Sequence, residues 1–412
     1  MLLETLDLLR CPFCGTRLSA VENAALFHAG DRIESGVLGC ECCAFPVVAG
    51  IPVLIADDRT RAAMHALEDD RRDDALHLLL GLGGARLEAF RSLTAGTQDP
   101  TYRDLLGVLC VDAEADCFLH RFSDPTYLTV EAMLDGLGTA GAPSGLALDL
   151  CGGSGHLTRV LMRQPACTDV MLADLHFWKL WLATRIMVPD CKAVCCDANS
   201  PLPFADDLFS TVLLSDAFPY IWHKRMLAGE MQRVAADDGG VILPHLHSAH
   251  GDNYSAGDTL SPAAYRDLFA PLAPRLFDDR ALVAEVLDAR TADLTRHVAP
   301  AHLGTTPSLT LVAARRTDLF RRYHVPDRLD VSGALAVNPL YRVDYAGGAT
   351  RLTRTFPTLE YEDEFALIKR YLPDEIVIPA DLTGEITPGT VGPDYAELRR
   401  RRVLLDTPRH YC

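Results

Sequence analysis

The chain has 412 residues, 49% of them hydrophobic and 23% charged, which is the profile of a folded protein with room for two or three domains. Its formal net charge is −17. A surface that acidic repels phosphate backbones, so nucleic acid is a disfavoured partner. No apolar run reaches the roughly 18 residues of a membrane span. The start, Met1-Leu-Leu-Glu-Thr-Leu-Asp7, has acids where a secretion signal has bases. A cytoplasmic protein with no membrane partner is expected, and its thirteen cysteines then point to metal binding before disulfides.

Cys11-Pro-Phe-Cys14 and Cys40-Glu-Cys-Cys43 are two C-x2-C knuckles separated by 25 residues. Each turn aims two thiolates at one point, and two such turns supply the four soft ligands of a closed tetrahedral zinc site. Cys11, Cys14, Cys40 and Cys43 are the expected ligands, with Cys42 a competitor inside the second knuckle. So short a segment buries too little apolar surface to fold unaided, so the metal would supply much of its folding free energy. The order Leu9-Arg-Cys-Pro-x-Cys-x-x-x-Leu18, second knuckle, then Phe45-Pro-Val-Val-Ala-Gly-Ile-Pro-Val-Leu54 resembles the small zinc-binding activator subunits of tRNA and protein methyltransferases. The resemblance covers about residues 3–56 and implies a built-in stabiliser for an adjoining catalytic domain. Residues 57–117 read as a helical connector broken at Gly81, Gly83 and Gly84.

Gly145-Leu-Ala-Leu-Asp149-Leu150 reads as a strand, Cys151-Gly-Gly-Ser-Gly155 as a turn and His156-Leu-Thr-Arg-Val-Leu-Met162 as a helix. This is the cofactor turn of doubly wound sheets, where ligands lie at the carboxyl ends of the strands. Further strands end in acids at Asp174, Asp197 and Asp216, and a fifth begins at Gly239. An acid 25 residues past Asp149 suits ribose hydroxyls, and Asp197 suits an adenine amino group. Nicotinamide cofactors want G-x-G-x-x-G with a pyrophosphate on the helix N-terminus. Here Gly153-Ser-Gly155 runs into His156, Leu157 and Thr158, so the third glycine is absent. S-adenosylmethionine (SAM) carries a cationic sulfonium and no phosphate, which favours the acid before the turn.

Residues 118–315 are similar to class I SAM-dependent methyltransferases, especially the small-molecule branch. Asp149-Leu-Cys-Gly-Gly-Ser-Gly155, Asp174, Asp197-Ala198 and Leu202-Pro-Phe-x-Asp-Asp-x-Phe209 carry the likeness, with Cys151 departing from the usual first glycine. The resemblance implies a cofactor site of Asp149, Cys151, Gly153, Gly155, Asp174, Leu175, Asp197, Ala198 and Ser215. The sequence Ser215-Asp-Ala-Phe-Pro-Tyr220 replaces the Asn-Pro-Pro-Tyr that marks amide or exocyclic-amine methylation. Methyl transfer needs alignment, water exclusion and often a base. His223 and His247, with Asp216 beside them, are the expected catalytic residues. His245 and His247 would share one face of a strand, an arrangement that serves a base or a metal as well as plain strand-end packing. A turn-rich loop over 251–262 is expected to shape specificity.

The expected architecture is α/β: a zinc ribbon (1–56), a helical connector (57–117), a Rossmann-like, doubly wound, mostly parallel sheet (118–315) and a C-terminal extension (316–412) whose aromatics suit a cover over the acceptor pocket or plain packing. Arg399-Arg-Arg-Arg402 reads as a solvated helix face. The expected activity is methyl transfer to a small-molecule or glycan-like acceptor. A tRNA or protein methyltransferase and a non-catalytic scaffold are the alternatives.

Overall fold

Segments such as Val170-Met-Leu-Ala173 are apolar at every position, the pattern of a strand covered on both faces. The computed structural model, which describes residues 1–110, 114–139, 144–253 and 257–412, gathers them into a seven-stranded sheet. In chain order the strands are β1 (Gly145–Leu150), β2 (Cys167–Asp174), β3 (Lys192–Cys195), β4 (Phe209–Leu213), β5 (Ala235–His247), β6 (Arg275–Asp278) and β7 (Ser308–Ala314). Their spatial order is β3-β2-β1-β4-β5-β7-β6. β1 to β5 run parallel, whereas β7 is antiparallel to both β5 and β6. This is the expected Rossmann-like α/β sheet. Its chain order reverses between β1 and β4, which opens a crevice at their carboxyl ends.

Alternate side chains serve two cores. Ala147, Leu172, Ala193 and Ile242 face the helices Asp58–Glu68, Tyr102–Leu109, Pro125–Thr139 and His156–Met162. Leu148, Met171, Val194 and Val241 face helix Lys224–Val234 and also Leu9, Leu18, Ile33 and Phe45 of the N-terminal segment. That segment pairs strand Arg32–Gly39 antiparallel with Ala44–Val48 and then runs alongside β3. Val53 bridges Cys195 in parallel, and the Leu54 amide donates to the Cys195 carbonyl at 2.8 Å. A second seam joins Arg10 N to Pro203 O (3.0 Å) and Ala205 N to Leu8 O (3.2 Å). The ribbon therefore covers an edge strand that would otherwise offer unpaired backbone groups.

The region after residue 316 mixes short strands with short helices. It holds the three-stranded sheet of Tyr341–Ala346, Ala349–Arg354 and Glu375–Ile378, and the pair Ala334–Val337 with Leu404–Thr407. Its core takes in Leu128, Ala132 and Val286 from the helices behind the main sheet. Arg400 of the arginine run is exposed while Arg399, Arg401 and Arg402 are half-buried, so the solvated-face reading is corrected in part. Arg402 pairs with Glu131, Arg400 with Asp327, and Arg399 donates to the Arg328 carbonyl. Partners distant in sequence decide the outcome, and those a four-residue motif cannot show. Tyr411 is buried against Tyr102, ring centroids 4.8 Å apart, and lies 3.2 Å from His156 Nε2. Among the described residues no helix is long and apolar enough to cross a membrane.

Glu131 joins two regions of the molecule. It accepts from Arg163 at 2.7 Å and from Arg402, all three side chains being mostly buried. Burial favours its neutral form, yet the two guanidiniums hold the carboxyl down to about 2. A depressed folded pKa gives stability that is present above the unfolded value, about 4.3, and lost as pH falls toward the folded one. Glu131→Gln should cost about 3–5 kcal/mol at neutral pH by leaving two buried cations uncompensated. It should also flatten the acid limb of chemical-denaturation stability between about pH 4.5 and 2. Parallel acid limbs in parent and variant would show that the pairing contributes nothing.

Candidate active site

The turn after β1 rests on a buried carboxyl. Asp149 is 1% exposed, and its Oδ2 accepts from the Thr158 hydroxyl at 2.6 Å, while Oδ1 has no partner among the described residues. Burial, helped by the nearby charge of Asp174 and opposed by the Thr158 bond, pushes its pKa up to about 7. Gly152 lies directly on it, where a Cβ would come within 2.5 Å of Asp149 Cγ and Leu172 Cδ1. Gly153 has φ +59°, and a side chain there would meet the Phe118 ring at 2.8 Å. Cys151, at the position where glycine is usual, also takes a left-handed conformation, φ 57°.

The other expected cofactor residues line the same edge. The Gly153 amide donates to Asp174 Oδ2 at 3.0 Å and the His176 amide to Oδ1 at 2.8 Å. Each oxygen keeps a lone pair for a hydroxyl donor. Leu175 follows with its side chain exposed, Asp197 Oδ1 accepts from Asn199 N at 2.8 Å, and Ala198 is buried. Ser215, after β4, has a buried hydroxyl with no partner among the described residues. A floor without side chains, orphaned polar atoms at Asp149 and Ser215 and acids after β2 and β3 fit an adenosine-bearing ligand.

Beyond Ser215 the crevice becomes charged. Asp216 has φ 64°, and its amide donates to the Pro244 carbonyl at 3.3 Å, holding it against β5. Its Oδ2 meets Arg121 Nη1 at 3.3 Å and its Oδ1 lies 4.0 Å from His247 Nε2. Arg121 also pairs with Asp124 at 2.8 Å. His245, φ 56°, sits where the pairing of β5 with β7 slips between Leu243 and Leu246. Its Nδ1 is 3.2 Å from Asp279 Oδ2. Burial opposes its protonation, but the Asp279 bond and the charge of Asp216 outweigh it and raise the pKa to about 9. His247 is shifted down by burial and by His245.

His223 stands apart from this cluster. It is exposed at the start of helix Lys224–Val234, and its Nδ1 is 2.9 Å from the Asn199 carbonyl. Arg121, Asp124, Phe118 and Asp279 had no signal in the sequence, because each comes from a stretch without a motif and is brought in by the fold. Glu364 is another such residue. Burial and the charges of Asp216 and Asp124 raise its pKa. Of the loop over 251–262, residues 254–256 lie outside the described residues.

At the ribbon, the thiols of Cys11, Cys14, Cys40 and Cys42 lie within 4.8 Å of one another. Cys14 and Cys40 sulfurs are 3.7 Å apart and Cys11 and Cys42 are 3.8 Å apart. Cys43 sits beside this group, its sulfur 3.4 Å from that of Cys42, and its amide donates to Cys40 Sγ at 3.2 Å.

Residues 148–243 match the family described as a methyltransferase domain. No curated protein matches the chain. Among solved structures it is similar to the YcgJ protein of Bacillus subtilis, with 16% identity, TM-score 0.32 and coverage of 46% of this chain and 98% of that one. It is similar to a chain of the complex between the Haloferax volcanii Trm112 methyltransferase activator and a methyltransferase (16%, TM-score 0.35, 52% and 96%). A third is a SAM-dependent methyltransferase of Thermotoga maritima (13%, TM-score 0.34, 52% and 100%). The matched segment runs from β1 into β5 and carries the glycine turn and the acids after β2 and β3. The match over residues 148–243 makes the protein an enzyme with a methyltransferase domain.

The turn can be tested directly. Gly153→Ala forces a Cβ into a left-handed residue and against Phe118, so it should lower stability by about 1–2 kcal/mol or more. Gly229→Ala lies in a helix with open space around the new methyl, and should be neutral or stabilising by about 0.5–1 kcal/mol. Equal denaturation midpoints for the two variants would mean that the turn carries no such constraint.

Proposed function

We propose that the protein transfers the methyl group of SAM to a small-molecule acceptor, glycan-like molecules included, held at the carboxyl ends of β4 and β5. The observation that carries this reading is the Gly153–Asp174 bond at the switch point of a sheet matched to the methyltransferase family. It sets a glycine floor and a ribose-binding acid side by side. When bound, SAM supplies an electrophilic methyl carbon on a cationic sulfur. Asp174 accepts the ribose hydroxyls, Asp197 and Ala198 take the adenine edge beside Leu175, and Asp149, Cys151, Gly153, Gly155 and Ser215 line the rest. Asp216 and His247 hold the acceptor's heteroatom toward the methyl. His223 steadies Asn199, which in turn holds Asp197.

The choice of a small acceptor rests on enclosure and charge. Arg121 and Asp124 come from a turn clasped from behind by the C-terminal extension, through Tyr371 to the Ser123 carbonyl and Asn338 to the Ser123 hydroxyl at 3.0 Å. The net charge of −17 and the mostly buried pairing of Arg402 with Glu131 disfavour RNA. The extension thus acts as the rear wall of the acceptor side, and the four regions 1–56, 57–117, 118–315 and 316–412 work as one enzyme. The ribbon resembles partners of tRNA and protein methyltransferases, but its apolar side chains are spent on the sheet, which supports a stabilising role.

Two measurements test these assignments. Asp174→Ala should weaken S-adenosylhomocysteine binding by about 1.5–3 kcal/mol in calorimetry, the value of a charged acceptor lost from buried hydroxyls; unchanged affinity would remove Asp174 from the cofactor site. For the ribbon, zinc is the ion that four convergent thiolates fit, and Cys11, Cys14, Cys40 and Cys42 are the proposed ligands. The sequence pattern alone favours Cys43 in place of Cys42. Cys42→Ser should lose its zinc in elemental analysis, while Cys43→Ser keeps about one ion per chain. The opposite result would return the fourth position to Cys43.

A further inference from the structure

The proposed transfer gives His245 no task, and the surroundings of the two imidazoles on β5 are unusual. His247 is 6% exposed, and its Nδ1 is buried with no hydrogen-bond partner among the described residues. Its Nε2 stands 4.0 Å from Asp216 Oδ1, beyond hydrogen-bond reach. A buried imidazole in that state has been desolvated without compensation, a condition that native structures rarely keep unless something else binds there. The ring of His245 stands nearly perpendicular to it, at 82° with centroids 4.8 Å apart. One ligand atom from each of Asp216, His245 and His247 lies within 4.8 Å of the other two.

Two more features point the same way. His245 is bonded through Nδ1 to Asp279. A carboxylate on one ring nitrogen is how metal-ligating histidines are oriented, the other nitrogen being left for the ion. Asp279 stands against one ring and Asp216 beside the other, and Arg121 pairs with both Asp216 and Asp124. Two histidines and one carboxylate form the donor set of open divalent metal centres, in which the remaining positions take substrate.

We propose that Asp216, His245 and His247 bind one divalent transition-metal cation, oriented from behind by Asp279, and that this cation receives the acceptor. The idea rests on the reading of this edge as the acceptor side. It narrows the acceptor to molecules with a metal-binding oxygen, a hydroxyl being the simplest. The cation makes that hydroxyl more acidic, and its proton leaves to water. The oxygen pair then forms the bond to the methyl carbon while the carbon–sulfur bond breaks and returns its pair to sulfur, leaving neutral S-adenosylhomocysteine.

The test is a Mn2+ titration of the full-length, zinc-loaded protein, followed by the loss of the free-ion EPR signal. S-adenosylhomocysteine affinity is measured separately by calorimetry. The expected result is saturable binding of about one Mn2+ beyond the ribbon's zinc. That binding should vanish in His247→Gln and in His245→Ala, and should weaken about 10–100-fold in Asp279→Asn. Melting curves identify a variant that has failed to fold, and either of the other two then decides. No binding of Mn2+, Co2+ or Zn2+ beyond the ribbon site would overturn the proposal, as would Mn2+ binding unchanged in His247→Gln. If S-adenosylhomocysteine binds normally in that case, the metal site alone has failed and the transferase reading stands. If Mn2+ binds as expected but S-adenosylhomocysteine does not, the cation site is upheld and its role toward a methyl acceptor is overturned.

Discussion

The Gly153 amide bonded to Asp174 is the contact on which the site depends. It fixes the turn after β1 against the end of β2, and it can form only if residue 153 adopts a left-handed conformation with no side chain toward Phe118. Behind it, Asp149 is buried with one oxygen satisfied by Thr158, so the first turn of helix His156–Met162 is locked to the end of β1. The cost of burying a carboxyl appears as its raised pKa. A turn held this tightly needs little rearrangement to take a ligand, which lowers the ordering cost of binding.

The rest of the chain braces the same few residues from several sides. Arg159 on that helix donates to the Asp406 carbonyl at 2.6 Å and pairs with its carboxylate at 3.1 Å, and Tyr411 reaches His156. The region after residue 316 therefore holds the cofactor helix as well as the turn that carries Arg121. At the opposite edge, the ribbon extends β3 and fills the core beneath it. A zinc site there would act at a distance, by keeping the β3 edge ordered and with it the loop of Asp197 and Asn199.

The sheet was legible because its strands are apolar runs of ordinary length ending in acids, a pattern that local chemistry imposes. The glycine turn was legible for the same reason, since the backbone at Gly152 and Gly153 runs too close to its neighbours for a side chain. The arrangement around Asp216 was only half visible. A regular strand would put the two histidines on one face, but the structure breaks that alternation at His245, and Arg121 lies 95 residues before Asp216 and reaches it only through the fold. Glu364 comes from a region with no motif at all. The ribbon's seat on β3 was hidden too, because edge pairing uses backbone groups and leaves no mark on residue identity.

The backbone adds an independent argument about where the chemistry lies. Asp216 and His245 both occupy left-handed conformations that side chains disfavour, and both border the crevice between β4 and β5. Each costs on the order of 1–3 kcal/mol and persists only where the surrounding structure imposes it. For Asp216 the imposing contacts are the Pro244 carbonyl and Arg121; for His245 they are Asp279 and the slip in pairing with β7. An extra residue in one strand is a common way to re-aim a side chain at a functional site. Without it, regular pairing would continue unbroken from Leu243 to His247. The irregularity delivers His245 to Asp279 while His247 stays beside Asp216, so the two rings converge on one carboxylate from different directions. Stability alone gives no reason to keep two strained residues, an unsatisfied imidazole and an excess of carboxylates in one hollow. A ligand that needs all of them does.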